Sequence, residues 1–247
     1  MTRVKICGVS DLKTAEVAAE SGADFVGMVF APSPRQVTLE RAKEISEEIH
    51  KWRGSGERIR LQPPPKNISG SKEKLTFWKN LIDENIKQFR PLLVGVFADQ
   101  PVEFVNSIAQ AVGLDLVQLS GNEEGNYCTK LEIPALEVVH VFPKTTTQDI
   151  VQHISSNKAS GLLLDTATRE LKGGTGKVFD WKVATEVNMR VPFMLAGGLT
   201  EKNVAQAITI VTPWAVDVSS GVEKDGKKDH QKIKEFIRTA KGALSGT

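Results

Sequence analysis

The chain has 247 residues, of which 40% are hydrophobic and 25% are charged, as in a globular protein with a large core. Its net charge of +2 is too small to indicate a nucleic-acid partner or a membrane surface. Two cysteines, Cys7 and Cys128, exclude a disulfide framework and show no metal-ligand spacing. Because the chain has neither an apolar leader nor a run of membrane-spanning length, we expect a cytoplasmic protein.

Short apolar runs recur along the chain without sustained alternation. Continuous runs of this length are typical of strands that are buried on both faces, as in parallel sheets. The predicted strands are Val4–Cys7, Phe25–Phe30, Leu92–Phe97, Leu114–Leu119, Val138–Phe142, Gly161–Leu164, Pro192–Ala196 and Trp214–Val218.

Helix patterns lie between most of these runs. Apolar residues at helical spacing follow Ser10, Thr38, Pro101 and Thr200 and recur again near the carboxyl terminus, so each predicted helix has one apolar face. The pattern is weak in the polar segment 122–132, and 145–157 is assigned as helix only because it joins two strands.

Eight strands that alternate with helices in about 250 residues predict an α/β fold, a single-domain (β/α)₈ barrel over 1–247. The competing architecture is an open, doubly wound sheet. That sheet usually carries a G-x-G-x-x-G turn after its first strand, and Cys7-Gly8-Val9-Ser10 lacks this pattern.

Residues 53–90 interrupt the alternation between the second helix and the third strand. Residues 51–90 hold ten Lys/Arg against four Asp/Glu, and Pro63-Pro64-Pro65 disfavours regular structure. Residues 75–89 carry an apolar stripe at helical spacing. We interpret 53–90 as a partly mobile insertion, either a tolerated solvent loop or a lid or partner-binding arm.

Polar and glycine-rich residues collect where the predicted strands end, which is the active-site end of a barrel. In chain order they are Cys7, Arg35, Gln118 with Ser120, Asp165, Gly173–Gly176, Gly197 with Gly198, and Asp217 with Ser219, Ser220 and Gly221.

The glycine turns at Gly197-Gly198 and Gly221 precede helical turns on neighbouring strands. Glycine lets backbone N–H groups approach an anion, and helix starts favour negative charge. The alternative is that these glycines only form tight turns. The third turn, Gly173–Gly176, favours a phosphate site at the last three strand ends, although it lacks the lysine of a nucleotide P-loop.

Three further side chains have both a structural and a chemical interpretation. Cys7 is either a packing residue or a ligand-facing thiol. Arg35 is either a solvated loop residue or a carboxylate receptor, since its planar fork suits a carboxylate. Asp165 either caps a helix or, after an apolar run, acts as an acid of raised pKa. The four histidines show no metal-ligand spacing.

Ordered motifs then carry a resemblance over about 5–236, with 53–90 outside it. The chain resembles the phosphoribosylanthranilate isomerase family of tryptophan biosynthesis, and the insertion resembles its fungal branch. The motifs are KICG at 5–8, FAPSPRQV at 30–37, VGVFADQP at 94–101, DLVQLSG at 115–121, LLLDT at 162–166, GGTGKVFDW at 173–181, LAGGLTEKNV at 195–204 and VDVSSGVEKDGKKD at 216–229.

The resemblance implies an Amadori rearrangement of N-(5-phosphoribosyl)anthranilate, a small phosphosugar, without cofactor or metal. It implies that Asp165 is the general acid, that Cys7 is the general base and that Arg35 contacts the anthranilate moiety. The implied phosphate contacts are Gly174, Thr175, Gly176, Gly197, Gly198, Ser219, Ser220 and Gly221, and Asp217 lies at a matching strand end.

One departure from the family pattern is Ser120, where the family commonly has histidine. Two alternatives remain: a related phosphosugar barrel such as indole-glycerol-phosphate synthase, or a non-catalytic phosphate-binding scaffold. The first needs a catalytic lysine and glutamate, and the second would not need Cys7 and Asp165.

The implied chemistry needs a Cys7 thiolate and a neutral Asp165 together, which the reference pKa values of about 8.5 and 3.9 disfavour. We expect burial to raise the pKa of Asp165 and the helix start near Ser10 to lower the pKa of Cys7.

Overall fold

The computed structural model describes residues 1–53, 68, 70–123, 126–156, 159–166 and 181–243. Eight parallel strands follow one another around a closed barrel, and the last pairs with the first. The barrel strands are β1 (Arg3–Cys7), β2 (Phe25–Val29), β3 (Leu92–Phe97), β4 (Leu116–Leu119), β5 (Ala135–Val141), β6 (Gly161–Thr166), β7 (Met194–Leu195) and β8 (Ala215–Val218). The predicted (β/α)₈ barrel is therefore confirmed, with strand ends shifted by up to three residues.

The helices cover the outside of this barrel, with one exception. They are α1 (Leu12–Glu20), α2 (Leu39–Arg53), α3 (Ser71–Phe89), α4 (Val102–Val112), α5 (Thr147–Ser156), α6 (Trp181–Asn188), α7 (Val204–Val211) and α8 (His230–Gly242). Among its described residues, the polar segment after β4 forms a 3₁₀ turn, Tyr127–Lys130. None of the described helices combines the length and apolar character that crossing a bilayer requires.

Strand residues alternate between two separate cores, as the two-residue period of a strand requires. Outward residues such as Val4 and Ile6 join the large core beneath the helices. Inward residues near the strand starts, such as Phe25 and Leu163, form a second core inside the barrel. The polar side chains inside the barrel lie at inward positions near the strand ends, beside a small apolar cluster that includes Val29 and Val96.

The helix α3 is the exception, because it lies at the amino-terminal end of the barrel. Its residues Ile82, Ile86 and Phe89 are buried against the core formed by the strand starts. Asp83 on the same helix accepts hydrogen bonds from Arg3 Nε at 2.8 Å and from Trp214 Nε1 at 3.1 Å.

This position corrects part of our interpretation of residues 53–90. Residues 71–89 form neither a solvent loop nor a cover over the strand ends, since their apolar stripe closes the opposite end of the barrel. Residue 53 belongs to α2. Residues 54–67 and 69 lie outside the described part of the chain, and partial mobility of the segment stays a prediction.

Candidate active site

The two catalytic candidates both lie at the carboxyl ends of barrel strands. Cys7 is the last residue of β1 and is 6% exposed; it packs with Val29, Ala31 and Val96 in a small apolar cluster inside the barrel. Asp165 lies two residues after Leu163, an inward-facing residue of β6, and therefore on the same inner face. The structure thus brings these two residues to one end of one enclosed space.

A buried ion pair lies below them. Lys5 is fully buried, and its Nζ is 2.9 Å from Oδ1 of Asp217 on β8, which is 7% exposed. The register pairs these two residues directly. Burial by itself lowers the pKa of Lys5, but Asp217 and Cys7 outweigh it and raise that pKa to about 12. Lys5 is therefore a charged residue within the barrel.

Cys7 and Lys5 meet over a glycine of the neighbouring strand. A side-chain carbon at Gly27 would lie 3.0 Å from Cys7 Sγ and 3.2 Å from Lys5 Nζ, so glycine leaves room for both. Burial raises the pKa of the Cys7 thiol, Lys5 opposes this shift, and Asp217 adds to it. The expected lowering by the helix start is therefore wrong: α1 begins at Leu12, and desolvation dominates.

Asp165 has the shift that the sequence predicted. Burial is the main cause that raises its pKa to about 7, and the negative charge of Asp217 adds to it. The backbone of Thr166 and the charge of Lys5 act in the opposite direction. Near neutral pH this carboxyl therefore exists in both protonation states and can donate or accept a proton.

Arg35 lies in a network of charges above Cys7. Its Nε and Nη2 donate to the two oxygens of Glu223 at 2.6 and 2.8 Å, and Lys228 Nζ lies 2.8 Å from Glu223 Oε1. Lys228 Nζ also donates to the carbonyl oxygen of Ser219 at 2.9 Å. A side-chain carbon at Gly8 would lie 2.7 Å from Arg35 Cδ, so this glycine permits the close approach. In this structure Arg35 pairs with the carboxylate of Glu223, and its contact with a ligand carboxylate stays a prediction.

The glycine turns after β7 and β8 contact each other, and the turn after β7 also contacts the end of β6. Gly197 has a φ of +89°, and a side-chain carbon there would lie 2.5 Å from the backbone nitrogen of Thr166 at the end of β6. A side-chain carbon at Gly221 would lie 1.8 Å from the carbonyl oxygen of Leu199. Gly198 has a φ of +65°, and its carbonyl accepts from Asn203 Nδ2 at 2.9 Å.

These contacts bring most of the predicted phosphate residues together. Ser220 begins a 3₁₀ turn, Ser220–Val222, directly after Ser219 at the end of β8. The predicted contacts Gly174, Thr175 and Gly176 lie outside the described residues. Within the described part of the chain, no group of three His, Cys, Asp or Glu side chains is arranged to hold a metal ion.

Sequence reasoning missed Glu223 and Lys228 as members of the site. They pair directly across a two-stranded hairpin, β9 (Glu223–Lys224) with β10 (Lys227–Lys228). The signal was present, because Asp225-Gly226 is a strong hairpin dipeptide, and both residues have positive φ, as a type I′ turn requires.

His140 was also missed as a site residue. It pairs in register with Asp165 on the neighbouring strand, and its Nε2 is 3.2 Å from the carbonyl oxygen of Ser120. The buried Gln118 donates to Ser120 Oγ at 3.1 Å. The mouth of β4, where Ser120 replaces the histidine of the family pattern, is thus lined by polar groups from two strands.

Comparison with known proteins identifies the family. A profile of the family described as "PRAI: N-(5'phosphoribosyl)anthranilate (PRA) isomerase" matches residues 62–239. A Dehalococcoides mccartyi protein named N-(5'-phosphoribosyl)anthranilate isomerase is 40% identical and covers 98% of this chain and 97% of its own. A multifunctional tryptophan biosynthesis protein of Phycomyces blakesleeanus is 38% identical and covers 97% of this chain, which matches 32% of that longer protein.

Solved structures agree with the sequence relatives. Phosphoribosyl anthranilate isomerase of Thermotoga maritima superposes with a TM-score of 0.75 at 37% identity and covers 98% of this chain and 100% of its own. With the fold and the ordered strand-end residues described above, these matches establish one assignment. The chain belongs to the N-(5'-phosphoribosyl)anthranilate isomerase family and is an isomerase of tryptophan biosynthesis.

Proposed function

We propose that the rearrangement of N-(5'-phosphoribosyl)anthranilate proceeds on this chain with Asp165 as general acid and Cys7 as general base. The observation that carries the proposal is the enclosed strand-end space that both residues line, where burial raises the pKa of Asp165 to about 7. A carboxyl with this pKa transfers protons efficiently near neutral pH.

The chemistry is a pair of proton transfers. Asp165 protonates the ribose ring oxygen as the C1–O bond breaks, and the anilino nitrogen forms a double bond to C1. The Cys7 thiolate then removes the proton from C2, and the resulting enolamine tautomerises to the 2-keto product, 1-(2-carboxyphenylamino)-1-deoxyribulose 5-phosphate. No external oxidant or reductant is required.

The protonation states support these roles in part. The working state, with thiolate and neutral acid, holds as many protons as the competing state with thiol and carboxylate. Raising the pKa of Asp165 from 3.8 to about 7 increases the population of the working state about 10³-fold, since each pKa unit is a factor of ten. The raised pKa of Cys7 acts against this gain.

The two ends of the substrate have candidate receptors. We assign the phosphate to the contacting turns at Gly197-Gly198 and Ser219–Gly221, with Gly174–Gly176 as further expected contacts. We assign the anthranilate carboxylate to the edge of the Arg35 guanidinium opposite Glu223. A phosphoribosyl anthranilate isomerase that superposes with a TM-score of 0.71 at 35% identity was crystallised with reduced 1-(o-carboxyphenylamino)-1-deoxyribulose 5-phosphate, which supports a phosphosugar ligand here.

Turnover of the aminosugar substrate tests the assignment. Cys7→Ala and Asp165→Asn should each lower kcat by about 10²–10⁴-fold, the usual contribution of a positioned acid or base. Activity of the wild-type chain should rise with pH through about 7 and fall only at a pH above the ordinary pKa of a thiol, because burial raises the pKa of Cys7 and the two limbs belong to the coupled pair. Near-normal kcat in a folded variant would remove that residue from its role.

The proposal extends to the location of the protein: a cytoplasmic location agrees with a biosynthetic enzyme family.

The proposed kinship with a fungal branch rests on the insertion and on the Phycomyces relative, but the D. mccartyi protein matches over almost the full length of both chains. Residues 53–90 therefore do not by themselves distinguish a fungal from a bacterial enzyme.

A further inference from the structure

We propose that the buried Lys5–Asp217 ion pair is a positioning element that sets opposite protonation states in Cys7 and Asp165. Lys5 favours the thiolate of the base, and Asp217 favours the neutral form of the acid. The inference rests on the proposed roles of Cys7 and Asp165 and adds two residues to them.

Geometry carries the argument. Lys5 lies two residues before Cys7 on the same inward face of β1, and both reach the space above Gly27. Its partner Asp217 lies on the adjacent strand β8, with a 2.9 Å contact between Nζ and Oδ1. The pair thus places a positive charge beside the base. Asp217 lies two residues after the inward-facing Ala215, on the same inner surface as Asp165, and its negative charge acts on that acid.

The order of the electrostatic effects agrees with this arrangement. For Cys7, Lys5 lowers the pKa more than Asp217 raises it. For Asp165 the order is reversed, since Asp217 raises the pKa more than Lys5 lowers it. A neutral pair would therefore move both groups away from the working state.

Other charged groups also face the two residues. Lys228 and Arg35 approach Cys7 from the mouths of β8 and β2, and His140 neighbours Asp165 on β5. They remain unchanged in the experiment, so any shift is attributable to the pair.

A buried ion pair is an unusual way to stabilise a fold. Removing two charges from water is costly, and apolar residues of similar volume are often as stable. Its charges act on both catalytic candidates, which supplies a chemical reason for Lys5 and Asp217 at these sites.

The test measures the thiol directly and needs no turnover. In a Cys128→Ser background Cys7 is the single cysteine, and its rate of alkylation by iodoacetamide against pH reports the thiolate fraction. Lys5→Met/Asp217→Asn replaces the ion pair by neutral residues without leaving one buried charge alone. We expect its alkylation midpoint to rise by about one pH unit or more, as for loss of a neighbouring opposite charge.

A second arm follows Asp165. In the same variant the acid limb of kcat/KM, expected near pH 7, should move to lower pH, and kcat/KM at pH 7 should fall about tenfold or more. A matched control is Arg53→Met/Asp115→Asn, which removes another ion pair, one with a 2.7 Å contact and a largely buried arginine. We expect this control to lower thermal stability and leave the alkylation midpoint unchanged.

The outcomes separate the two proposals. An unchanged midpoint in the folded double variant overturns the role of the ion pair, whatever the activity. A raised midpoint together with normal turnover of Cys7→Ala would retain the ion-pair effect on Cys7 and reject the catalytic assignment. If the double variant does not fold, Lys5→Met alone serves, because it also removes the positive charge beside Cys7; its midpoint should also rise, and no change would overturn the proposal.

Discussion

At the scale of single residues, the environment of Asp165 should make the stability of the protein depend on pH. Its folded-state pKa of about 7 lies above its ordinary value of 3.8, so the native state binds more protons than the unfolded state between these values. Stability contributed by the neutral carboxyl is therefore fully present below pH 3.8 and is lost as the pH rises from there through about 7. The Asp165 carboxyl that the proposed reaction needs therefore destabilises the folded state above about pH 7.

Asp165→Asn tests this dependence, since asparagine resembles the neutral carboxyl and does not ionise. At pH 8 we expect the variant to be more stable than the wild type by about 4 kcal/mol, because the shift from 3.8 to about 7 is about three pKa units at about 1.4 kcal/mol each. At about pH 3, below the unfolded value, the difference should vanish. Denaturant unfolding at both pH values measures it, and equal stabilities at pH 8 would show that the carboxyl is not desolvated.

Gly198 offers a charge-specific test of the phosphate assignment. Its φ of +65° favours glycine, and asparagine and aspartate tolerate this region better than most other residues. Gly198→Asn and Gly198→Asp share the same size and backbone strain, and they differ only in charge. We expect the aspartate variant to raise KM at least tenfold above the asparagine variant.

The measurement is steady-state kinetics of both variants, with circular dichroism to compare their folds. A carboxylate beside a bound phosphate should weaken binding more in low salt, because screening reduces the repulsion. Equal KM values for the two variants would move the phosphate away from the turn after β7.

At the scale of elements, α3 acts on stability rather than on chemistry. Its buried face closes the floor of the barrel at the end opposite to Cys7 and Asp165. Ile82→Ala should destabilise the fold by about 2–5 kcal/mol, the usual cost of truncating a buried isoleucine to alanine. Turnover per folded molecule should stay within about threefold of the wild type at 25 °C.

Gln88→Ala is the matched control, because Gln88 is exposed on the same helix. Surface changes of this kind usually alter stability by less than about 0.5 kcal/mol. Thermal unfolding of both variants separates burial from helix propensity. A large loss of kcat in folded Ile82→Ala would mean that the floor transmits strain to the strand ends.

At the scale of the whole molecule, we expect residues 55–72 to be dispensable for chemistry as far as they lie outside α3. Because Gly70 is the N-cap of that helix, the replaceable part is 55–68. We expect kcat and KM to stay within about tenfold when a Gly/Ser sequence of equal length replaces it. A larger loss, above about 1.4 kcal/mol of transition-state stabilisation, would indicate that the segment acts on the site.

Much of the architecture could be predicted from local sequence. Eight apolar runs with intervening helix patterns indicated the barrel, because strands buried on both faces and helices with one apolar face have distinct periodicities. The positions of Cys7 and Asp165 at strand ends were readable for the same reason, since parallel strands present their carboxyl ends at one edge. The apolar stripe of 75–89 could also be recognised in the sequence. Its position at the amino-terminal end of the barrel could not, because an apolar stripe indicates that a helix face is buried but not which surface it packs against.

What the sequence by itself determined is the order of strands and helices and the residues at each strand end. Tertiary structure alone decided which side chains meet: Lys5 with Asp217 across 212 positions, and Arg35 with Glu223 across 188. It also decided the direction of the Cys7 pKa shift: the nearby helix start predicted a lowered pKa, whereas burial of the thiol raises it. Charge interactions and burial depend on distances through space, and those distances exist only once the barrel has closed.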